Sequence, residues 1–120
     1  VDLPKHLARV GRDARRIWEK AAKESGLSLH IGGTLPLSHF AFEGKDSNAA
    51  KTLFTQEMLK QGFLASTMLY ASYVHTPVIL KRYEKAVRQV FTLIAKARKS
   101  VGVKKLLKGP VAHTGFQRLN

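Results

Sequence analysis

Cysteine is absent from this sequence of 120 residues, and its absence excludes two kinds of site. Without thiols the chain can form neither a disulfide framework nor a metal site built on thiolates. Long apolar runs are missing as well, because no stretch approaches the roughly 18 residues that a membrane-spanning helix requires. These features are compatible with a reducing compartment, and we expect a soluble, cytoplasmic protein with no membrane partner.

Acidic residues are scarce relative to basic ones. Eight Asp and Glu stand against 21 Lys and Arg, which gives a net charge of +13. A surface of that sign attracts nucleic acid, anionic lipid or any acidic partner through long-range electrostatics. The cations are spread along the chain, however, and most fall opposite an apolar helical stripe, where a solvated face is expected. Non-specific polyanion binding and a simple solvated surface are therefore both open interpretations.

The chain does contain enough apolar residues for one folded domain. Hydrophobic residues make up 44% of the sequence. A compact fold of this length buries roughly two-thirds of its extended-chain surface, which is sufficient for a core. No internal repeat or low-complexity tract divides the sequence, so we predict a single domain over residues 1–120. Because it opens at Val1 without an initiator Met, we expect either a processed form or a piece of a longer protein, and we favour the piece.

Three segments place apolar residues three and four apart, which is the spacing of an amphipathic helix. The predicted helices are 3–25, 47–61 and 77–99. A glycine follows each of them, at Gly26, Gly62 and Gly102, where a left-handed C-terminal cap is commonly needed. The tail, 103–120, has room for one further helical turn before it becomes irregular.

The sequence also predicts where these helices begin and which residues of the third helix are buried. Pro4 and Pro77 suit a first turn, because the N–H that proline lacks would be unpaired there in any case. Asp46 or Ser47 is the candidate N-cap of the second helix. The stripe that we predict to be buried on the third helix is Ile79, Tyr83, Ala86, Val87, Val90, Ile94 and Ala97.

Between the helices, alternation of apolar and polar residues predicts short strands. The first places Leu27, Leu29 and Ile31 on one face, and the second places Phe40 and Phe42 on one face. The predicted strands are about 27–31, 37–43, 63–66 and 68–74. This order of elements favours an α+β two-layer sandwich, in which helices cover a small, mostly antiparallel sheet of three to four strands.

The segment before the third helix contains the strongest candidates for the residues of a functional site. In one interpretation His75 lies at the end of a strand and faces a cleft. In the other, Thr76 caps the following helix and His75 forms local hydrogen bonds. Tyr70, Ser72 and Tyr73 have the same two interpretations, because alternating aromatic and small residues are also ordinary strand material.

No other pattern of reactive residues is complete. Glu57 is flanked by apolar positions, but a lone carboxylate is not a general acid–base pair. Gly32 and Gly33 lack the rest of a phosphate-binding loop, and no serine lies in a nucleophile elbow. The histidines lack the spacing of a metal site: His6, His30, His39, His75 and His113. We therefore assign no catalytic, cofactor-binding or metal-ligating residue.

Several unlinked stretches together resemble one enzyme family. They are GLSLHIGG, PLSHFAFE, TLFTQEMLKQGFLAS and a Ser-Tyr-Val-His-Thr run before the third helix, all within residues 26–97. In order and spacing they resemble the C-terminal part of class III, fold-type I aminotransferases, which depend on pyridoxal phosphate (PLP). The subgroup that they most resemble is the glutamate-1-semialdehyde aminomutase type.

This resemblance implies a cofactor and partners. Members of the family bind PLP in a large domain as an internal aldimine on a lysine, and they work as dimers with sites at the subunit interface. No lysine here lies in a matching motif, so the resemblance implies a C-terminal domain that binds no cofactor itself and is inactive without the large domain. It also implies that Tyr70, Ser72 and His75 line the wall of the substrate pocket.

This chain differs from the family pattern at two places, and these differences limit which activity the resemblance implies. Several relatives carry a carboxylate-binding Arg on the strand before the final helix, whereas residues 70–75 contain none. The aminomutase type usually has Pro-Ser after Leu-Ala, where this chain has Ser66 and Thr67. Aminotransferase ancestry is therefore implied more strongly than aminomutase activity.

Two other classes of function are compatible with the sequence. The charge of +13 suits a basic nucleic-acid-binding module, although the chain shows no aromatic RNA-binding signature and no helix-turn-helix. A purely structural interaction domain is also compatible, because an excised enzyme domain behaves like one.

Overall fold

A computed structural model describes residues 3–33, 39–63 and 77–109, together with their side chains except those of Leu3, Pro4, His6 and Leu7. The elements are α1 (Leu3–Ser25), β1 (Leu29–Gly32), β2 (His39–Phe42), α2 (Ser47–Lys60), α3 (Pro77–Lys99) and a 3₁₀ helix (Val103–Leu106). The bounds of α1 and α3 coincide with those predicted from apolar periodicity, and α2 ends one residue earlier.

β1 and β2 form an antiparallel pair, with Leu29 opposite Phe42 and Ile31 opposite Phe40. The predicted alternation holds, because Phe40 and Phe42 are buried while Ala41 between them is exposed. The other two predicted strands, 63–66 and 68–74, lie outside the described residues except for their first residue, Phe63, which is in a loop. With its three helices and this two-stranded sheet, the described part of the chain is a small α+β domain.

The ends of α1 and α2 follow the predicted glycine signal. Gly26 and Gly62 have φ angles of 81° and 88°, a region that favours glycine. The residue after each glycine donates its N–H back into the helix, from Leu27 to Ala22 O at 2.9 Å and from Phe63 to Met58 O at 3.0 Å. α3 ends differently: it stops at Lys99, and Gly102 lies beyond it, just before the 3₁₀ helix.

The core is centred on Phe40, whose ring contacts four other aromatic rings. The centroid of Phe40 lies 4.8 Å from that of Trp18 on α1 and 5.2 Å from that of Phe54 on α2. It lies 5.6 Å from Phe91 on α3 and 5.3 Å from Phe42 on its own strand. Offset and edge-to-face ring pairs at these distances stabilise a fold beyond the area that they bury. One strand residue therefore joins the sheet to all three helices.

α1 and α3 are also joined by a buried hydrogen bond. The indole Nε1 of Trp18 donates to the hydroxyl of Tyr83 at 2.9 Å, and neither side chain is more than 1% exposed. Burial raises the pKa of the Tyr83 hydroxyl far above its ordinary value, so the group is neutral and can accept this bond. The pair satisfies the one polar atom of each ring, which would otherwise be costly to bury.

A half-buried ion pair connects the end of α3 to the start of α2. Arg98 donates from Nε to Asp46 Oδ2 at 3.0 Å, from Nη2 to Asp46 Oδ1 at 2.6 Å and from Nη2 to Glu43 O at 2.8 Å. Asp46 occupies the predicted N-cap position, but its side chain makes no capping hydrogen bond. The expected role for Asp46 is therefore corrected, because its carboxylate is bound to Arg98 instead.

None of the described helices is both long and apolar enough to cross a bilayer.

Removing the aromatic ring of Phe40 should destabilise the fold. We expect Phe40→Ala to lower the free energy of unfolding by about 3–5 kcal/mol, because it leaves a cavity between the sheet and all three helices. Urea denaturation followed by circular dichroism would measure it. His39→Ala, on the exposed face of the same strand, is the control and should change stability by less than about 0.5 kcal/mol. A loss below about 1 kcal/mol for Phe40→Ala would contradict the central role of this ring.

Candidate functional site

The residues predicted to line a substrate pocket, Tyr70, Ser72 and His75, lie outside the described residues. Thr76, the predicted cap of the third helix, lies there too. Pro77 is described, and it is the first residue of α3, as the Thr-Pro signal predicts. The structure therefore places the helix that follows the predicted pocket wall.

A groove of about 800 Å³ lies between α1 and α3. Its α3 side is mostly polar and charged, with Lys81, Lys85 and Arg88 among its residues. Its α1 side consists of Ala21 and Glu24, and Arg88 Nε donates across the groove to Glu24 Oε1 at 2.9 Å. The full lining is Ala21, Glu24, Lys81, Glu84, Lys85, Arg88, Gln89 and Thr92.

A second, smaller hollow of about 270 Å³ continues along the same two helices toward the start of α3. It shares Lys81 and Glu84 with the groove, and it adds Asp13 and Arg16 from α1 and Pro77 from α3. The contacts between α1 and α3 advance in the same direction along both helices, so the helices run parallel. The two hollows therefore lie on one continuous seam that is lined by charges of both signs.

The end of the hairpin is fixed to the middle of α1 by one arginine. Arg15 donates from Nη2 to Gly32 O at 3.2 Å and also to Gly33 O. The imidazole of His39 lies close over Gly32, where an added Cβ would be 3.3 Å from His39 Nε2. Gly32 thus has a packing role in addition to the turn role that its sequence position indicates.

The described residues contain no group of three or more side chains that could hold a metal ion. His30 and His39 are exposed on the outer face of the hairpin. The side chains of His6, His75 and His113 lie outside the described part of the chain. The structure therefore brings together no histidine cluster within the described residues.

Glu57, the acid with apolar neighbours in sequence, is held by an ion pair. Its Oε2 accepts from Lys60 Nζ at 2.8 Å and from Gln56 Nε2 at 2.9 Å. Burial alone would raise the pKa of the Glu57 carboxyl, but the hydrogen bonds from Lys60 and Gln56 and the charges of Lys60 and Lys108 outweigh it. They hold the pKa below its ordinary value of 4.5. An ionised, occupied carboxylate is unsuited to act as a general acid at neutral pH.

The described residues, 3–33, 39–63 and 77–109, do not fit a PLP site. Every lysine of the sequence lies in the described part of the chain, and all are exposed except Lys51, which is half-buried. None is enclosed in a cavity, whereas a Schiff-base lysine is usually desolvated in a pocket. The N-terminus of α2 carries Asp46 rather than a cradle for phosphate. No step of PLP chemistry is therefore assigned to the described residues.

The arrangement of helices and sheet can be compared with known proteins. No protein-family model and no curated protein matches this chain. Among solved structures it is similar in fold to a protein that contains PLP. That protein is FumI of Sphingopyxis sp. MTA144, solved as its PLP internal aldimine form.

The likeness to FumI has a TM-score of 0.66 at 20% sequence identity. It covers 80% of this chain but 24% of the FumI chain, so this chain spans about a quarter of that protein's length. At this identity the likeness establishes a shared fold.

Sequence reasoning predicted that most cations lie opposite the apolar helical stripes, but it did not predict the groove that Lys81, Lys85 and Arg88 line. The groove depends on the packing of α1 against α3, which brings Glu24 to Arg88 across 64 residues of sequence. The available signal was the spacing of Lys81, Lys85 and Arg88, which places them on one side of the helix.

The lowered pKa of Glu57 predicts a pH-dependent contribution to stability. Because the folded-state pKa is below the unfolded one, this contribution is present above pH 4.5 and is lost as the pH falls through the folded-state value. We expect Glu57→Gln to be less stable than wild type at pH 7, and the difference to shrink as the pH falls below 4.5. Glu19→Gln, at an exposed acid of α1, is the charge-matched control. Urea denaturation at several pH values measures both, and a pH-independent difference for Glu57→Gln would refute the prediction.

Proposed function

We propose that this chain is the small C-terminal domain of a PLP-dependent aminotransferase of class III. The observation that carries the proposal is the likeness in fold to FumI, a protein solved with PLP, over 80% of this chain. The sequence resemblance of residues 26–97 to the same class supports it independently. The parent enzyme would transfer an amino group from an amino donor to a keto or aldehyde acceptor.

In our proposal another part of the enzyme binds the cofactor, which explains why the described residues lack a cofactor site. The likeness covers 24% of the FumI chain, so the rest of such an enzyme is a separate, larger part. In our proposal that part supplies the cofactor-binding lysine and the phosphate cradle, and the parent works as a homodimer. PLP, when bound there, supplies an electron sink for chemistry at the carbon that bears the amino group. The present domain contributes a wall of the substrate pocket and excludes water from it.

In this proposal the pocket wall is formed by Tyr70, Ser72 and His75. In sequence they precede Pro77, the first residue of α3, and α3 packs on α1 through Tyr83 and Trp18. Because residues 70–75 contain no Arg, a substrate carboxylate would be bound by the large domain. The aminomutase type is the subgroup that we favour within the class, on the sequence resemblance alone.

The isolated chain should show no specific PLP site. We expect added PLP to modify several exposed lysines weakly after borohydride reduction, without one stoichiometric site and without amino-group transfer. Absorbance at about 420 nm, a band of lysine-bound PLP, and peptide mapping would follow the reaction. Turnover together with stoichiometric labelling of one lysine within residues 1–120 would overturn the proposal.

A positive test uses the longer gene that the proposal requires. The complete protein should carry PLP on a single lysine that lies before residue 1 of this chain. Within it, His75→Ala should raise the KM for the amino acceptor, whereas His30→Ala, on the exposed face of the hairpin, should leave it unchanged. An upstream reading frame without a cofactor-binding lysine would refute the proposed ancestry.

A further inference from the structure

The outer face of α3 carries a straight row of basic residues. Successive residues of the row are four, three, eight and three positions apart in sequence, which keeps them within an arc of about 80° around the helix. At a rise of 1.5 Å per residue the row extends about 27 Å. We name it the α3 basic row, and its members are Lys81, Lys85, Arg88, Lys96 and Lys99, all of them exposed.

The row is presented on a fixed support. The opposite face of α3 is buried from Tyr83 through Val90 to Ala97. Tyr83 is tied to α1 by the Trp18 hydrogen bond, and Arg98 is tied to the start of α2 by Asp46. The spacing between the cations is therefore set by the core, and binding does not require the helix to be ordered first.

Most of the charge in the row is not neutralised by neighbouring acids. Within the described residues Arg88 forms an ion pair with Glu24, whereas no ion pair is formed by the four lysines of the row. Glu84 lies between Lys81 and Lys85 on α3 and lines the same groove, but it forms no ion pair within the described residues. Four lysines on one helix face thus point toward solvent with their charge available.

The chemistry of the row selects among possible polyanions. The apolar face of α3 is buried in the core, so the helix cannot lay that face into a lipid surface as membrane-binding amphipathic helices do. The described aromatic side chains are all buried, so none is available along the row to stack on the bases of a single strand. What remains is a rigid line of point charges, which matches the regular phosphate array of a duplex.

We propose that the α3 basic row binds double-stranded nucleic acid through its phosphates, without sequence preference. Each strand of a duplex carries one phosphate per about 3.4 Å of the duplex axis, so a row of about 27 Å is long enough to reach several phosphates where the backbones pass it. Four of them would be contacted by Lys81, Lys85, Lys96 and Lys99. The groove on the α1 side of the row contains Glu24 and Glu84, so the backbone would approach the lysines from the solvent side of α3. This activity is independent of PLP and of the proposed parent enzyme.

The first test is the salt dependence of binding by the full chain. Fluorescence anisotropy with a labelled DNA duplex of about 20 base pairs should give a linear plot of log affinity against log salt. Four phosphate contacts predict a slope of about −3.6. Absent binding at about 50 mM salt, or a slope near zero, would overturn the proposal.

The second test distinguishes binding through the row from binding that depends only on the net charge of the chain. A variant with Lys81, Lys85, Lys96 and Lys99 changed to Gln should bind the duplex at least about tenfold more weakly at low salt and lose most of the slope. The control carries the same loss of four charges at exposed lysines outside the row: Lys23, Lys45, Lys104 and Lys105. It should keep most of the affinity, and an equal loss in both variants would overturn the assignment to the row. Circular dichroism and thermal melting verify that both variants fold.

The third test compares polyanions with the wild-type chain. Poly-glutamate and vesicles containing anionic lipid carry the negative charge without the duplex geometry. Each should bind more weakly than the duplex at the same salt concentration. Equal or tighter binding of either probe would overturn the duplex as the partner and assign the row to an acidic protein or a lipid surface.

Discussion

The contact of Phe40 with rings from all three helices is the constraint on which the rest of the described structure depends. A two-stranded hairpin is only marginally stable by itself, so β1 and β2 need the helices to cover one face. Phe40 joins the strands to these helices, because its ring contacts Trp18, Phe54 and Phe91, one from each helix. The helices in turn are positioned by the strand that they cover. Sheet and helices therefore form together or not at all.

The functional surfaces follow from the same packing. Because Trp18 on α1 pairs with Tyr83 on α3 inside the core, the two helices run side by side and their outer edges leave an open seam. That seam holds the groove, and the exposed side of α3 holds the basic row. The proposed enzyme role and the proposed duplex contact thus concern different parts of the chain: the predicted pocket wall precedes α3 in sequence, and the outer face of α3 carries the cations.

Local features of the fold were predictable from the sequence because their causes are local. The bounds of α1 and α3 follow from apolar periodicity, and the ends of α1 and α2 follow from glycine. Phe91 was absent from the predicted stripe, although it is buried beside Val90, because periodicity alone does not decide how wide a stripe is. The site was harder to predict. The groove and the Arg98–Asp46 pair join residues far apart in sequence, and no local pattern contains such pairing.

The hydrogen bond between Trp18 and Tyr83 joins residues 65 positions apart, and this separation has a consequence for synthesis. At about 5–20 residues per second, a ribosome needs roughly 3–13 s to make Tyr83 after Trp18. During that interval the first helix lacks α3, which covers part of its apolar face, and the strands have no third helix to close over them. The nascent chain therefore carries an exposed, positively charged amphipathic segment until its final helix emerges, and chaperones that hold such segments would meet it before its fold exists.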